Sequence, residues 1–96
     1  MFPIGTVYDP FVNRGLDALI YGTYQDSRFM VAGTPSGIAL APEGGAHQSI
    51  NTPLLGMSIP NLASFEPAFA DELAVIMEWG LGHMQRKNGG SVYLRL

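Results

Sequence analysis

Apolar and polar positions change their period several times along this chain, and each change predicts an element. Residues 2–8, "FPIGTVY", read as a short strand despite Pro3 and Gly5. Asp9-Pro10 then carries a helix-start signature, with Asp9 as the side-chain cap and Pro10 at the first helical position, where no N–H is needed. Phe11, Gly15, Leu16, Ala18, Leu19 and Gly22 recur at helical spacing, which predicts a helix to about Gln25. "FMVAG" (29–33) has the length and continuous apolar character of a strand buried on both faces.

The period is lost over residues 33–61, where Gly33, Pro35, Gly37, Pro42, Gly44, Gly45, Pro53, Gly56 and Pro60 punctuate the chain and predict one long loop. Ile38, Leu40, Ile50, Leu54, Leu55, Met57 and Ile59 make that loop an ordered, packed one. "LASF" (62–65) reads as a strand. Pro67 opens a second helix, to about Lys87, with Leu73, Ile76, Met77, Gly80, Leu81 and Met84 as its apolar seam. Asn88-Gly89-Gly90 stops it, and "SVYLRL" (91–96) is a final strand.

Strands alternating with helices predict the α/β class, a parallel β-sheet with flanking helices; two helices on four strands leave one face partly bare. Ligands of such sheets bind beyond the carboxyl ends of the strands. "VYDPF" and "TPSGIALAPEGGAHQ" follow the first two strands, so they are expected to face each other there.

Composition adds constraints. The 96 residues are 47% hydrophobic and only 14% charged, against about 25% charged in ordinary domains, so part of the surface is expected to be covered by more protein or to self-associate. A net charge of −3 with five Lys and Arg excludes a phosphate-tracking surface, hence nucleic acid. The absence of cysteine excludes disulfides and thiolate zinc. No apolar run is long enough for a signal-peptide core or a membrane span, and a cytoplasmic location is the expectation.

The candidate chemistry is sparse. "GTPSG" has Gly-x-x-Ser-Gly spacing and fails the nucleophile-elbow pattern. His47 and His83 lack a metal-ligand spacing, and His83 is expected at the solvated surface of the second helix. No phosphate-cradling glycine loop occurs. "PEGGAHQS" (42–49) sets Glu43 and His47 either side of two glycines. Taken alone, the pair is either two solvated loop residues or a proton-transfer pair. Tyr8 and Phe11 are likewise either core or a ligand platform.

"VYDPFVNRGLDAL", "RFMVAGTPSG", "EGGAHQS" and "ASFEPAFADELAVIM" together resemble the pyrimidine-binding domain of thiamine-diphosphate enzymes in the transketolase superfamily. The nearest resemblance is to the homodimeric bacterial pyruvate dehydrogenases, in their decarboxylating component. The resemblance covers residues 1–96 and implies one partial pyrimidine-binding domain. It implies that Tyr8 and Phe11 pack on the cofactor's aminopyrimidine ring, and that His47 points at the substrate adduct, with Gln48 beside it on the substrate side. Glu43 falls near a substrate hydroxyl, and neither Glu43 nor His47 is a metal ligand. Gly45 and Ala46 replace Pro and Thr of the transketolase loop motif, which implies a looser loop.

The resemblance also implies thiamine diphosphate with magnesium as cofactor. The diphosphate and magnesium site and the activating glutamate are expected on other domains or a second subunit, which would be partners of this chain. The implied function is that of a fragment of an enzyme that decarboxylates a 2-keto acid, such as pyruvate, and transfers the two-carbon unit. Two-carbon transfer between ketoses and a non-catalytic domain packing on a partner chain are the alternatives.

Overall fold

A computed structural model describes all 96 residues. Four parallel strands form one sheet in the order β1-β2-β4-β3: β1 Ile4–Val7, β2 Met30–Gly33, β3 Leu62–Phe65 and β4 Ser91–Arg95. Three helices flank it: α1 Leu16–Tyr24, α2 Thr52–Ser58 and α3 Ala70–Gln85. The expected parallel α/β architecture is therefore the observed one. The third helix was not expected, and it lies within the stretch predicted to be loop. Pro53 in the first turn and Gly56 read as loop punctuation, yet Pro is tolerated at a helix start. Gly56 is buried so closely against Ser64 and Tyr93 that a Cβ there would lie 2.2 Å from Ser64 Oγ.

The side-chain alternation of the strands divides the core into two layers. Met30, Ala32, Val92 and Leu94 face one way and are covered by α3 through Met84, with Leu73, Ile76 and Met77 packed around them. Val12, Leu19, Ile59, Leu62 and Tyr93 form the opposite layer, with Val7, Leu16, Phe29, Val31 and Leu55 at its border. Here α1 and α2 supply the cover; the α3 face is left partly bare over β1, where Ile4 beside Met30 is 51% exposed.

Five details differ from expectation. The segment from Asp9 to Gly15 is a 3-10 helix, and α1 begins only at Leu16. Asp9 does not cap it: the cap position is Tyr8, no side-chain cap bond forms, and the Asp9 carboxylate points into the interior. α3 starts at Ala70 instead of Pro67, because the Glu72 carboxylate accepts the backbone N–H groups of Ala68 (2.9 Å) and Phe69 (3.2 Å) and sets the first turn. Within α3, Leu81 is 39% exposed and does not belong to the packed seam. His83, expected in solvent, is half-buried and stacked on Trp79 at 4.6 Å with an 11° interplanar angle.

The far end of α3 is closed by a residue the sequence did not single out. Arg28, just before β2, donates to the carbonyls of Met84 (2.9 Å), Arg86 and Lys87 (3.3 Å) and pairs with Asp26 at 3.0 Å. A cation on the last carbonyls of a helix satisfies groups without intrahelical partners and complements the helix dipole.

Candidate functional site

The connection after β2, through α2, and the connection after β3, through α3, run on opposite faces of the sheet, and α/β sheets bind ligands in the crevice beyond the carboxyl ends of their strands. The chain after β1 and the long connection after β2 meet at this edge. Tyr8, Phe11 and His47 form a three-ring cluster with centroids 5.9 Å (Tyr8–Phe11), 6.2 Å (Tyr8–His47) and 6.0 Å (Phe11–His47) apart. Tyr8 is 48% exposed, whereas Phe11 and His47 are half-buried. The Arg14 guanidinium lies over the Phe11 ring, 4.8 Å from its centroid, as a cation–π contact.

The loop carrying His47 consists of two consecutive 3-10 turns, Ala41–Glu43 and Gly45–His47. Gly44 joins them at φ 95°, ψ 175°, a conformation that only glycine adopts readily, which is why a continuous helix cannot run through "PEGGAH". Glu43 ends the first turn and is exposed, and no ion pair joins it to His47. Gln48 is half-buried, and its side chain makes no hydrogen bond within the chain. The edge thus brings Tyr8, Phe11 and His47 together and leaves Glu43 outside. His47 Nδ1 is buried without a hydrogen-bond partner. An orphaned acceptor is tolerated better than an orphaned N–H, so the imidazole proton belongs on Nε2.

Behind the rings lies a polar cluster that pattern reading missed. Asp9 is fully buried, and Oδ2 accepts from Thr52 Oγ1 (2.5 Å) and Arg95 Nε (3.2 Å) while Oδ1 accepts from the Tyr93 hydroxyl. Arg95 also donates to Thr52 Oγ1 (2.9 Å), to the Ser49 carbonyl (2.9 Å) and to Glu66. Burial, and then the hydrogen bond and negative charge of Asp9, push the Tyr93 phenol far above its ordinary value. Gly33 makes room for the cluster: a Cβ there would lie 2.2 Å from Asp9 Oδ1 and 3.1 Å from the Tyr93 ring. One signal of the cluster was available in "SVYLRL". Tyr93 and Arg95 stand two apart and so share a face, which put an arginine at the end of an otherwise apolar strand.

Residues 2–95 match the family model of the pyruvate dehydrogenase E1 component middle domain. The chain belongs to this family. It is 33% identical over 95 residues to the pyruvate dehydrogenase E1 component of Escherichia coli (strain K12), covering 97% of this chain and 11% of that protein. The E1 component of Mycobacterium tuberculosis is likewise 33% identical over 95 residues, covering 97% of this chain and 10% of that protein. The counterpart in Buchnera aphidicola from Acyrthosiphon pisum is 35% identical over 72 residues, covering 75% and 8%. The chain therefore spans about a tenth of the length of the curated relatives it matches. No helix is long and apolar enough to cross a membrane.

Proposed function

We propose that this chain is the part of a pyruvate dehydrogenase-like, thiamine-diphosphate-dependent enzyme that holds the cofactor's aminopyrimidine ring and faces the 2-keto acid. The observation that carries this reading is the convergence of Tyr8, Phe11 and His47 at the carboxyl edge of a parallel sheet, in a chain of the E1 middle-domain family.

The residues fit such a ring. A flat heteroaromatic group needs an apolar face, and Tyr8 leaves nearly half of its surface open beside Phe11. When bound, thiamine diphosphate supplies the carbon nucleophile that adds to a keto carbonyl and the electron sink for loss of carbon dioxide. Tyr8 and Phe11 orient the ring and keep water from its face. His47 presents Nε2–H to a substrate oxygen, because Nδ1 is buried without a hydrogen-bond partner. Gln48 lines the substrate side. Glu43, on the exposed turn, accepts a hydrogen bond from a substrate hydroxyl at the mouth.

Ring stacking contributes about 1 kcal/mol, which falls short of the several kcal/mol, roughly 4 or more, lost on association. The diphosphate and its magnesium are therefore held by chain outside residues 1–96. Calorimetry of the isolated chain should detect no binding of thiamine diphosphate with magnesium at micromolar concentration. Micromolar affinity would overturn the assignment of the diphosphate site to other protein. In an assembled enzyme, His47→Ala should lower turnover while cofactor affinity is retained, and a lost cofactor affinity with normal turnover would refute its substrate-facing role.

A second reading, a domain that packs on a partner chain without chemistry of its own, is supported by one observation. Ile20, Tyr21 and Tyr24 on α1 and Leu54 and Met57 on α2 are large, apolar and exposed. Sedimentation at high micromolar concentration should show self-association, and a clean monomer would count against both a covered surface and this second reading.

A further inference from the structure

One side chain holds both of the segments that carry the rings of the candidate site, through Asp9 on one and Ser49 on the other. Arg95 ends β4, and its side chain is only 9% exposed. Through Nε it holds Asp9 and Thr52, and through Nη1 it holds Glu66. Through Nη2 it holds the Ser49 carbonyl at 2.9 Å, with the Ser49 hydroxyl 3.4 Å away. Asp9 directly follows Tyr8, and the chain turns there through a hydrogen bond from the Phe11 N–H to the Tyr8 carbonyl, 2.8 Å. Ser49 lies two residues beyond His47 and closes the loop onto Gly37. The Ser49 N–H donates to the Gly37 carbonyl and the Gly37 N–H to Ser49 Oγ, both at 2.9 Å.

We infer that Arg95 is a positioning residue that sets the distance between the Tyr8–Phe11 platform and His47, by clamping Asp9 on one side and the base of the 37–49 loop on the other. The inference rests on the reading of those rings as the site given under Proposed function. The guanidinium is suited to the task because it is planar and carries five N–H donors in a fixed fork. It can hold a carboxylate, a hydroxyl and a backbone carbonyl in one rigid frame. A lysine ammonium at the same place is a single point of charge and cannot span Asp9, Glu66 and Ser49 together. Two other direct side-chain ties join the segments, the buried Thr52 Oγ1–Asp9 Oδ2 hydrogen bond at 2.5 Å and the exposed Asn13–Asn51 pair at 2.9 and 3.3 Å, and both lie beyond the loop's base.

The experiment is heteronuclear NMR and amide exchange on the 96-residue chain carrying Arg95→Lys. The control is Leu73→Ala, which weakens the opposite layer without touching the cluster. Arg95→Lys should weaken the ring-to-ring Overhauser effects of His47 with Tyr8 and Phe11. It should also accelerate exchange at the Gly37 and Ser49 amides about tenfold relative to the control at matched global stability. Ring contacts and exchange equal to those of the control would reduce Arg95 to a fold-stabilising residue and overturn the inference. Should Arg95→Lys fail to fold, Glu66→Gln removes the charge of the half-exposed partner and leaves Asp9 paired. It should still accelerate the Gly37 and Ser49 amides about threefold, and unchanged amides would also overturn the inference. Thiamine diphosphate does not enter either measurement, so a failure of the proposed function and a failure of this inference give different results.

Discussion

On one side of β4, Val92 and Leu94 meet Met30, Ala32 and Met84 in a wholly apolar layer under α3. On the other side Tyr93 and Arg95 meet Asp9, Thr52 and Ser49, in a layer that turns from apolar to ionic as it approaches the carboxyl edge. Adjacent residues of a single strand thus serve two different kinds of cohesion. The α3 layer is held by burial, which is non-directional and tolerates substitutions of similar volume. The edge cluster is held by directional contacts that must all be made, because a buried charge left alone is expensive. The difference teaches why the rings of the candidate site sit over the second layer: a directional cluster can fix a geometry, and an apolar layer mainly fixes a distance.

The sharpest way to break the comparison is to remove a charge from the edge. Asp9→Asn leaves Arg95 buried with only the half-exposed Glu66 as a charged partner, and should destabilise the chain by about 3–5 kcal/mol. Urea denaturation measures it; an unshifted midpoint would show that the cluster is not buried as described. For a domain this small, that loss is of the order of its entire stability.

Met84→Ala probes the apolar layer. Met84 is fully buried, and its truncation should cost about 2–5 kcal/mol, read in the same denaturation experiment. Met84→Leu, which nearly conserves volume, should cost less than about 1.5 kcal/mol. An equal loss from both would show that this layer is as geometry-sensitive as the edge.

Gly33→Ala presses the edge without removing any group. Its Cβ would meet Asp9 Oδ1 and Tyr93, and the expected destabilisation is about 1–3 kcal/mol. Leu81→Ala is the complementary control on α3. The periodicity of the sequence put Leu81 in the seam, whereas its exposure predicts an effect within about 0.5 kcal/mol.

The smallest expected effect is one of pH. His83 has a pKa below its ordinary 6.5, chiefly because burial disfavours the imidazolium, and secondarily because Arg86 and Arg28 repel it. Below pH 6.5 the unfolded chain binds the proton more readily than the folded one. Stability is therefore complete above 6.5 and declines as the pH falls through the depressed folded value. Fluorescence of Trp79, the sole tryptophan and the stacking partner of His83, follows unfolding across this range. In His83→Gln the part of the decline that sets in below pH 6.5 should disappear.

The sequence by itself determined the class of fold, since period-2 and period-3.6 patterns report which residues face a core. Strands at "FMVAG", "LASF" and "SVYLRL" and a helix through Leu73, Ile76, Met77 and Met84 were all legible in that way. The glycine pair of "PEGGAH" also argued against a continuous helix, and Gly44 does adopt a backbone angle that other residues avoid. Tertiary structure alone decided the rest. Thr52–Ser58 is helical because Gly56 packs against Ser64 and Tyr93, residues distant in sequence or on other elements. Asp9 abandoned the capping role its position suggested because Tyr93 and Arg95, 84 and 86 residues away, offer it hydrogen bonds in the interior. Periodicity records whether a residue is apolar, and it carries no information about which distant donor a buried carboxylate will find. That choice is made only when β1 and β4 lie two strands apart in one sheet with their carboxyl ends at a common edge.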